Sequence, residues 1–166
     1  KGVFKIKADS QFSKVNEIKL DTLLKGANSG LSKYNGDILY AYRNGILKYN
    51  KVKNKFENDT ILSSLLTESS YVSGRIILDP KKDEFWIFSN DNLILVSPGE
   101  LTSAPKLKLI PLVYEERNTV VEYENIIQIN DQQYIVGSSS GYIILNPEKI
   151  RSKDFNVYIN TIKSGI

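Results

Sequence analysis

The side chains able to do chemistry are few in kind. The sequence has 19 acidic residues, and Glu115–Glu116 and Glu122/Glu124 are close carboxylate pairs. Two carboxylates can act as acid and base on a glycosidic bond, but they must flank it at roughly 5 to 10 Å. Adjacency along a chain this rich in acids does not supply that placement. Histidine is absent, which removes the commonest general base, the commonest metal ligand and any Ser-His-Asp triad. Cysteine is absent too, so thiolate nucleophiles, disulfides and cysteine metal sites are excluded. Ser138-Ser139-Ser140-Gly141 has neither the strand-to-helix setting of a nucleophile elbow nor a histidine partner, and reads as a turn. Glycine-rich phosphate loops, Asp-rich calcium loops and zinc spacings do not occur in the sequence. The chain therefore reads as a binding protein rather than an enzyme, with no cofactor and no metal.

Composition narrows the partners. Of 166 residues, 41% are apolar and 25% charged, the profile of a globular protein, and 22 basic against 19 acidic residues leave +3. The lysines are densest at Lys48, Lys51, Lys53 and Lys55. Around a hairpin they form a solvated edge that blocks strand pairing, so no nucleic-acid partner is expected. No apolar run approaches the roughly 18 residues needed to cross a bilayer, so no membrane contact is expected of this segment. The absence of methionine, even at position 1, and of an opening signal peptide reads as an internal segment of a longer protein.

The elements that would position these residues are strands. Short β-branched and aromatic runs recur between Asn, Asp, Gly and Ser, among them Asp37–Tyr42, Glu84–Phe88 and Tyr134–Val136. Only Leu20–Leu24, Thr60–Leu66 and Pro98–Leu101 offer helical turns. Three hairpins repeat one plan, with turns expected at Asn44-Gly45, Asn90-Asp91-Asn92 and Ser138–Gly141. Gly2-Val3-Phe4-Lys5-Ile6 reads as the second half of an earlier copy. Turn to turn, Gly2, Gly45, Asn92 and Gly141 stand 43, 47 and 49 residues apart. A further strand precedes each full hairpin, at Leu31–Tyr34, Val72–Leu78 and Glu124–Ile129. Phe12, Phe56 and Phe155 follow the turns as fourth strands would.

This period predicts an all-β fold, a β-propeller fragment of about 3.5 four-stranded antiparallel blades. Residues 1–25 would end a preceding blade. Residues 26–70 and 71–115 would form two blades and 116–154 a last one, with 155–166 an outer strand or the start of a following β-sandwich. The competing fold is a β-sandwich, which would show turns every 8 to 12 residues without the longer period. A closed propeller takes about 4 to 8 blades. Other blades of a parent ring, or a second copy meeting the open blade edges, are therefore expected partners. In a propeller one face gathers the hairpin turns and the entries to the first strands. Here it would collect Arg43 and Asn44, Tyr71 and Arg75, Asn90 and Asp91, and Tyr123, Glu124 and Asn125. Tyrosine rings beside amides, carboxylates and guanidinium groups suit sugar rings and their hydroxyls, although tyrosine also packs between blades with its hydroxyl at the edge. The segment Pro111–Val121 is the longest mixed connection. It reads either as an extension of an outer strand or as a cover for that face.

With the blades located, the chain resembles the two-component-regulator propeller repeats found in sensor regions of Bacteroidetes hybrid histidine kinases and helix-turn-helix regulators. Ile76-Ile77-Leu78-Asp79, Phe85-Trp86-Ile87 and Asn92-Leu93-Ile94-Leu95 follow the order of that blade. Gly45–Asn50 and Gly2–Ile6 look like its Gly-Leu-aromatic third strand, with Leu39-Tyr40 and Tyr134 where the family favours Leu-Trp. Tyr123–Ile127, Tyr134–Gly137 and Gly141–Ile144 look like a last blade, after which Phe155–Ile162 would lead into a triple-tyrosine domain. The resemblance implies a periplasmic sensor segment that binds a small molecule or oligosaccharide without catalysis and passes a signal across the membrane. Two other functions fit such a fold: a protein-interaction scaffold, and part of a propeller-fold glycan lyase or hydrolase.

Overall fold

The computed structural model describes residues 3–21, 26–79, 81–100 and 104–150. It is an all-β arrangement of four antiparallel sheets of two to four strands. Strands β1 (Val3–Ala8) and β2 (Val15–Asp21) make the first sheet. The second runs in chain order through β3 (Gly30–Tyr34), β4 (Asp37–Tyr42), β5 (Gly45–Asn50) and β6 (Lys55–Asn58). The third repeats that meander with β7 (Tyr71–Asp79), β8 (Glu84–Ser89), β9 (Asn92–Ser97) and β10 (Lys106–Pro111). In the fourth, β11 (Ile126–Asn130), β12 (Gln133–Ser138) and β13 (Gly141–Leu145) take the same order. Pro111 closes β10, an edge strand, where its missing N–H breaks no ladder.

Period-2 alternation places the core between sheets. On β8, Phe85 and Ile87 face the second sheet, where they join Leu39, Ala41 and Ile46. Trp86 and Phe88 point the other way, against Ile126, Tyr134, Val136 and Leu145 of the fourth sheet. On β9, Ile94 and Val96 divide from Leu93 and Leu95 in the same manner. The third sheet is thus buried on both faces, which is why its strands read as continuous apolar runs. Hydrogen bonds between neighbouring sheets recur at separations of 43 to 49 residues. Tyr71 Oη donates to Asn28 O, Lys5 Nζ to Tyr49 Oη, Arg75 Nη1 to Glu122 O and Tyr34 Oη to Asp83 O. Tyr134 Oη donates to Asp79 Oδ2 at 2.7 Å across a longer separation of 55. The sequence repeat is therefore also the repeat of the sheet junctions.

The first full hairpin falls one residue earlier than expected: Tyr42 pairs with Gly45, so Arg43-Asn44 is the connecting pair, whereas Ser138 pairs with Gly141 about the expected turn, and each glycine begins the next strand. Gly45 holds φ +131, and a Cβ there would stand 2.6 Å from Ser63 Oγ. Glycine was read as the turn residue when it is the strand residue under the following helix.

That helix is α1 (Thr60–Ser63), capped by Asp59 accepting from Leu62 N at 3.0 Å. The Thr60–Leu66 signal marked it correctly. Leu20 instead lies in β2, and residues 98–100 are not helical. Phe12 sits in the β1–β2 turn at φ +55 rather than in a strand. Phe155 and the rest of 155–166 fall outside the described residues. Beyond β10 the chain does not extend the sheet but forms a second turn of helix, α2 (Tyr114–Arg117).

Candidate ligand-binding site

The first strands of the second and third sheets, β3 and β7, meet backbone to backbone. Between Tyr71 and Ile76 the register of β7 against β8 shifts, a bulge that pushes Ser73 and Gly74 toward β3. There Gly74 N donates to Asn28 O at 2.6 Å. A Cβ on Gly30 would stand 2.3 Å from Gly74 O, so only two glycines permit the approach.

Beside this contact lies a cleft of about 290 Å³ whose lining includes Ser29, Ser32, Ser73, Arg75 and Glu122. Ser73 is fully buried, and its Oγ accepts from Arg75 N at 3.3 Å. The Arg75 side chain is exposed and reaches across to Glu122 O at 3.3 Å, bridging β7 and the entry to β11. Glu122 is exposed and holds φ +70. Non-glycine residues seldom adopt that conformation, and it is found preferentially at binding and catalytic sites. Hydroxyls, a guanidinium and a carboxylate converge here on one concave surface, which gives both donors and acceptors for a hydroxylated ligand.

Tyr71 does not line the cleft but is half-buried beside it, its hydroxyl donating at 2.6 Å to the carbonyl of Asn28, which does. Burial, then the charges of Tyr40, Glu122 and Glu124, push its phenol up to about 12, while Arg43 pulls the other way. Tyr71, Arg43, Glu122 and Glu124 therefore share one electrostatic neighbourhood. Because the folded-state value lies above the ordinary 10, protonated Tyr71 contributes stability below pH 10 that is lost as pH rises through 12. Phenolate absorbance titrations of the protein and Tyr71→Phe should differ by one step centred near pH 12. A difference step centred near 10 would show that Tyr71 is not held in this way.

Behind the cleft lies a second polar group. Arg117, at the end of α2, is fully buried. Its guanidinium donates to Leu112 O at 2.6 Å and to Ser89 O, and lies 5.9 Å from the Phe88 ring centroid. Burial lowers its pKa, and Glu124 opposes that most strongly, followed by Glu115, Tyr114 and Asp91. Glu124 is itself fully buried. Among the described residues neither its carboxylate oxygens, nor Arg117 Nε, nor Thr119 Oγ1 finds a hydrogen-bond partner. Glu124 acts electrostatically on both Arg117 and Tyr71, so it links this group to the cleft.

Of the nine residues expected to bind, only Arg75 lines the cleft, and Tyr71 is tied to the lining residue Asn28. Arg43 stands near enough to influence Tyr71 but is engaged by Glu68 at 3.6 Å. Glu124 lies behind the cleft rather than on its surface. Asn90 is tied into the α1–β7 connection, its Nδ2 donating to Ser69 O at 2.8 Å, and exposed Asp91 lies within the field of Arg117. Asn125 gives its carbonyl to Gly137 N at 3.1 Å. Asn44 and Tyr123 are exposed, with Tyr123 at 78%. Ser73, Ser32, Glu122 and Arg117 belong to the site without having been singled out for binding. A serine-glycine break inside the Val72–Leu78 run was the available sign of a bulge, and Arg117 is the one base in Pro111–Val121.

Two larger clefts have plainer origins. One of about 380 Å³ lies among long side chains of the second sheet, where Lys48 pairs with Asp37 at 2.6 Å and Lys53 with Glu57 at 2.9 Å. The other, of about 360 Å³, is a packing groove that includes the core residues Leu39, Leu62 and Phe85. Neither is lined by a bulged strand, although Asn35 in the second holds φ +48. Comparison with protein-family models, curated proteins and solved structures returns no match for this chain.

Proposed function

We propose that these sheets are consecutive blades of a β-propeller that holds a small hydroxylated ligand, of the oligosaccharide class, without transforming it. The observation that carries the proposal is the cleft beside the β3–β7 contact, with Arg75, Glu122 and three serines around it. The blade reading is supported by two complete four-stranded meanders, a third in the same order, and junction contacts that keep the sequence period. The resemblance to sensor propeller repeats supports placing the ligand signal outside the cytoplasm, in a periplasmic segment of a bacterial signal-transduction protein.

Calorimetric titration against a panel of neutral and acidic oligosaccharides tests the reading. A hydrogen bond to a charged group contributes about 1.5–3 kcal/mol, so Arg75→Ala should weaken binding by about tenfold or more. Arg75 is exposed, so its melting temperature should stay near that of the parent. Asn44→Ala should leave affinity unchanged, and no reducing ends should be released. A panel without a binder, or an Arg75→Ala protein that binds as well as the parent, would reject the site.

A further inference from the structure

Arg75 and Glu122 are the two charged residues that line the cleft beside the β3–β7 contact. Among the described residues, neither side chain takes part in an ion pair. Arg75 Nη1 donates to the main-chain carbonyl of Glu122 at 3.3 Å, not to its carboxylate. The two charges therefore line one concavity without neutralising each other. Nearby cations differ: Arg43 is engaged by Glu68 at 3.6 Å and Lys48 by Asp37 at 2.6 Å. Glu122 also holds φ +70, a conformation that a solvated surface glutamate has no need of. The serines offer contacts that any sugar ring would satisfy, so the two charges are what can tell one ring from another. At about 290 Å³ the cleft is small for a ligand site, and takes the end of a chain of rings rather than its length.

We infer that the ligand is a mixed oligosaccharide, with a carboxylate-bearing ring, a uronate, against Arg75 and an uncharged ring against Glu122. A guanidinium presents a planar fork that meets a carboxylate through two parallel hydrogen bonds. With Nη1 turned to the Glu122 carbonyl, the edge formed by Nε and Nη2 is left for that fork. Glu122 accepts from hydroxyl groups and repels a second carboxylate, so a chain acidic at every ring is disfavoured. Together the pair sets the class of ligand and the direction in which it lies. This inference rests on the cleft proposed above as the ligand site.

Calorimetric titration with trisaccharides on glucose, galactose and mannose backbones tests it, each backbone supplied with no uronate, with one, and with a uronate at every ring. The singly acidic member should bind tightest, about tenfold better than its neutral counterpart, because a charge-assisted fork replaces a neutral contact. Arg75→Lys keeps the charge but loses the fork, and should erase most of that preference. Glu122→Gln should strengthen binding of the fully acidic member by roughly two- to fivefold while leaving the singly acidic one near its parent value. Glu122 is exposed, so this variant should fold as the parent does. A neutral trisaccharide that binds as well as the singly acidic one, and still depends on Arg75, would overturn the uronate and leave the cleft standing. A fully acidic member that binds the parent best would overturn the role of Glu122. Absence of binding by every member would remove the cleft, and this inference with it.

Discussion

Gly74→Ala should lower the melting temperature by roughly 6–12 °C, whereas Gly137→Ala should leave it unchanged or raise it slightly. A Cβ on Gly74 would lie 2.3 Å from Ala41 O and 2.5 Å from Gly30 N. Both are backbone atoms, so no rotamer change relieves the clash and β3 and β7 must separate. Forced overpacking costs about 1–3 kcal/mol. Separation also breaks the Gly74 N to Asn28 O bond, a further loss of about 1 kcal/mol. A total of about 3 kcal/mol converts to the stated range for a chain of this size. Gly137 has nothing within 4 Å of its Cβ position and no positive φ, so alanine there chiefly restricts the unfolded chain. Differential scanning calorimetry of both variants decides the matter. Equal melting temperatures would mean that the close approach of β3 and β7 does not hold the second and third sheets together.

The second large effect belongs to Arg117. Arg117→Met keeps much of the side-chain volume but leaves Ser89 O and Leu112 O without their donor and removes the charge that acts on buried Glu124. Two hydrogen bonds from a charged donor contribute about 1.5–3 kcal/mol each, so the loss should be about 3 kcal/mol or more. Urea unfolding should show that loss as a lower midpoint with an unchanged slope. Adding Glu124→Gln to Arg117→Met should recover part of it, because the stranded charge is gone, so the double variant should cost less than the sum of the two single ones. Strict additivity would show that the two side chains do not act on each other. A loss under about 1 kcal/mol for Arg117→Met would remove the polar group behind the cleft as a structural element.

Much of the fold was legible because its signals are local. Phe85-Trp86-Ile87-Phe88 and Leu93-Ile94-Leu95-Val96 declare themselves as strands buried on two faces, and the spacing between hairpins gave the order of sheets. The register of the hairpins was less legible. An Asn-Gly pair suits both a turn and a strand start, and what places Gly45 in β5 is its close contact with Ser63, 18 positions further on. The site was legible only in part. Arg75 and Tyr71 were singled out because they enter the first strand of a repeat, and of the two Arg75 lines the cleft. Ser73 and Gly74 were not, since a bulge is a property of the pairing rather than of the strand. Arg117 lies in a segment read as a loop, and nothing in Pro111–Val121 reveals that its guanidinium turns inward to two carbonyls.

In the proposed function, the concave surface where β3, β7 and the entry to β11 meet takes the ligand. Amide chemical-shift mapping during titration with a bound oligosaccharide tests it most directly. The largest shifts are expected at Ser29, Ser32, Gly74, Arg75 and Glu122, with Val52 and Asn54 unmoved. Shifts confined to the Lys48–Glu57 hairpin, or scattered without relation to the first strands, would contradict it.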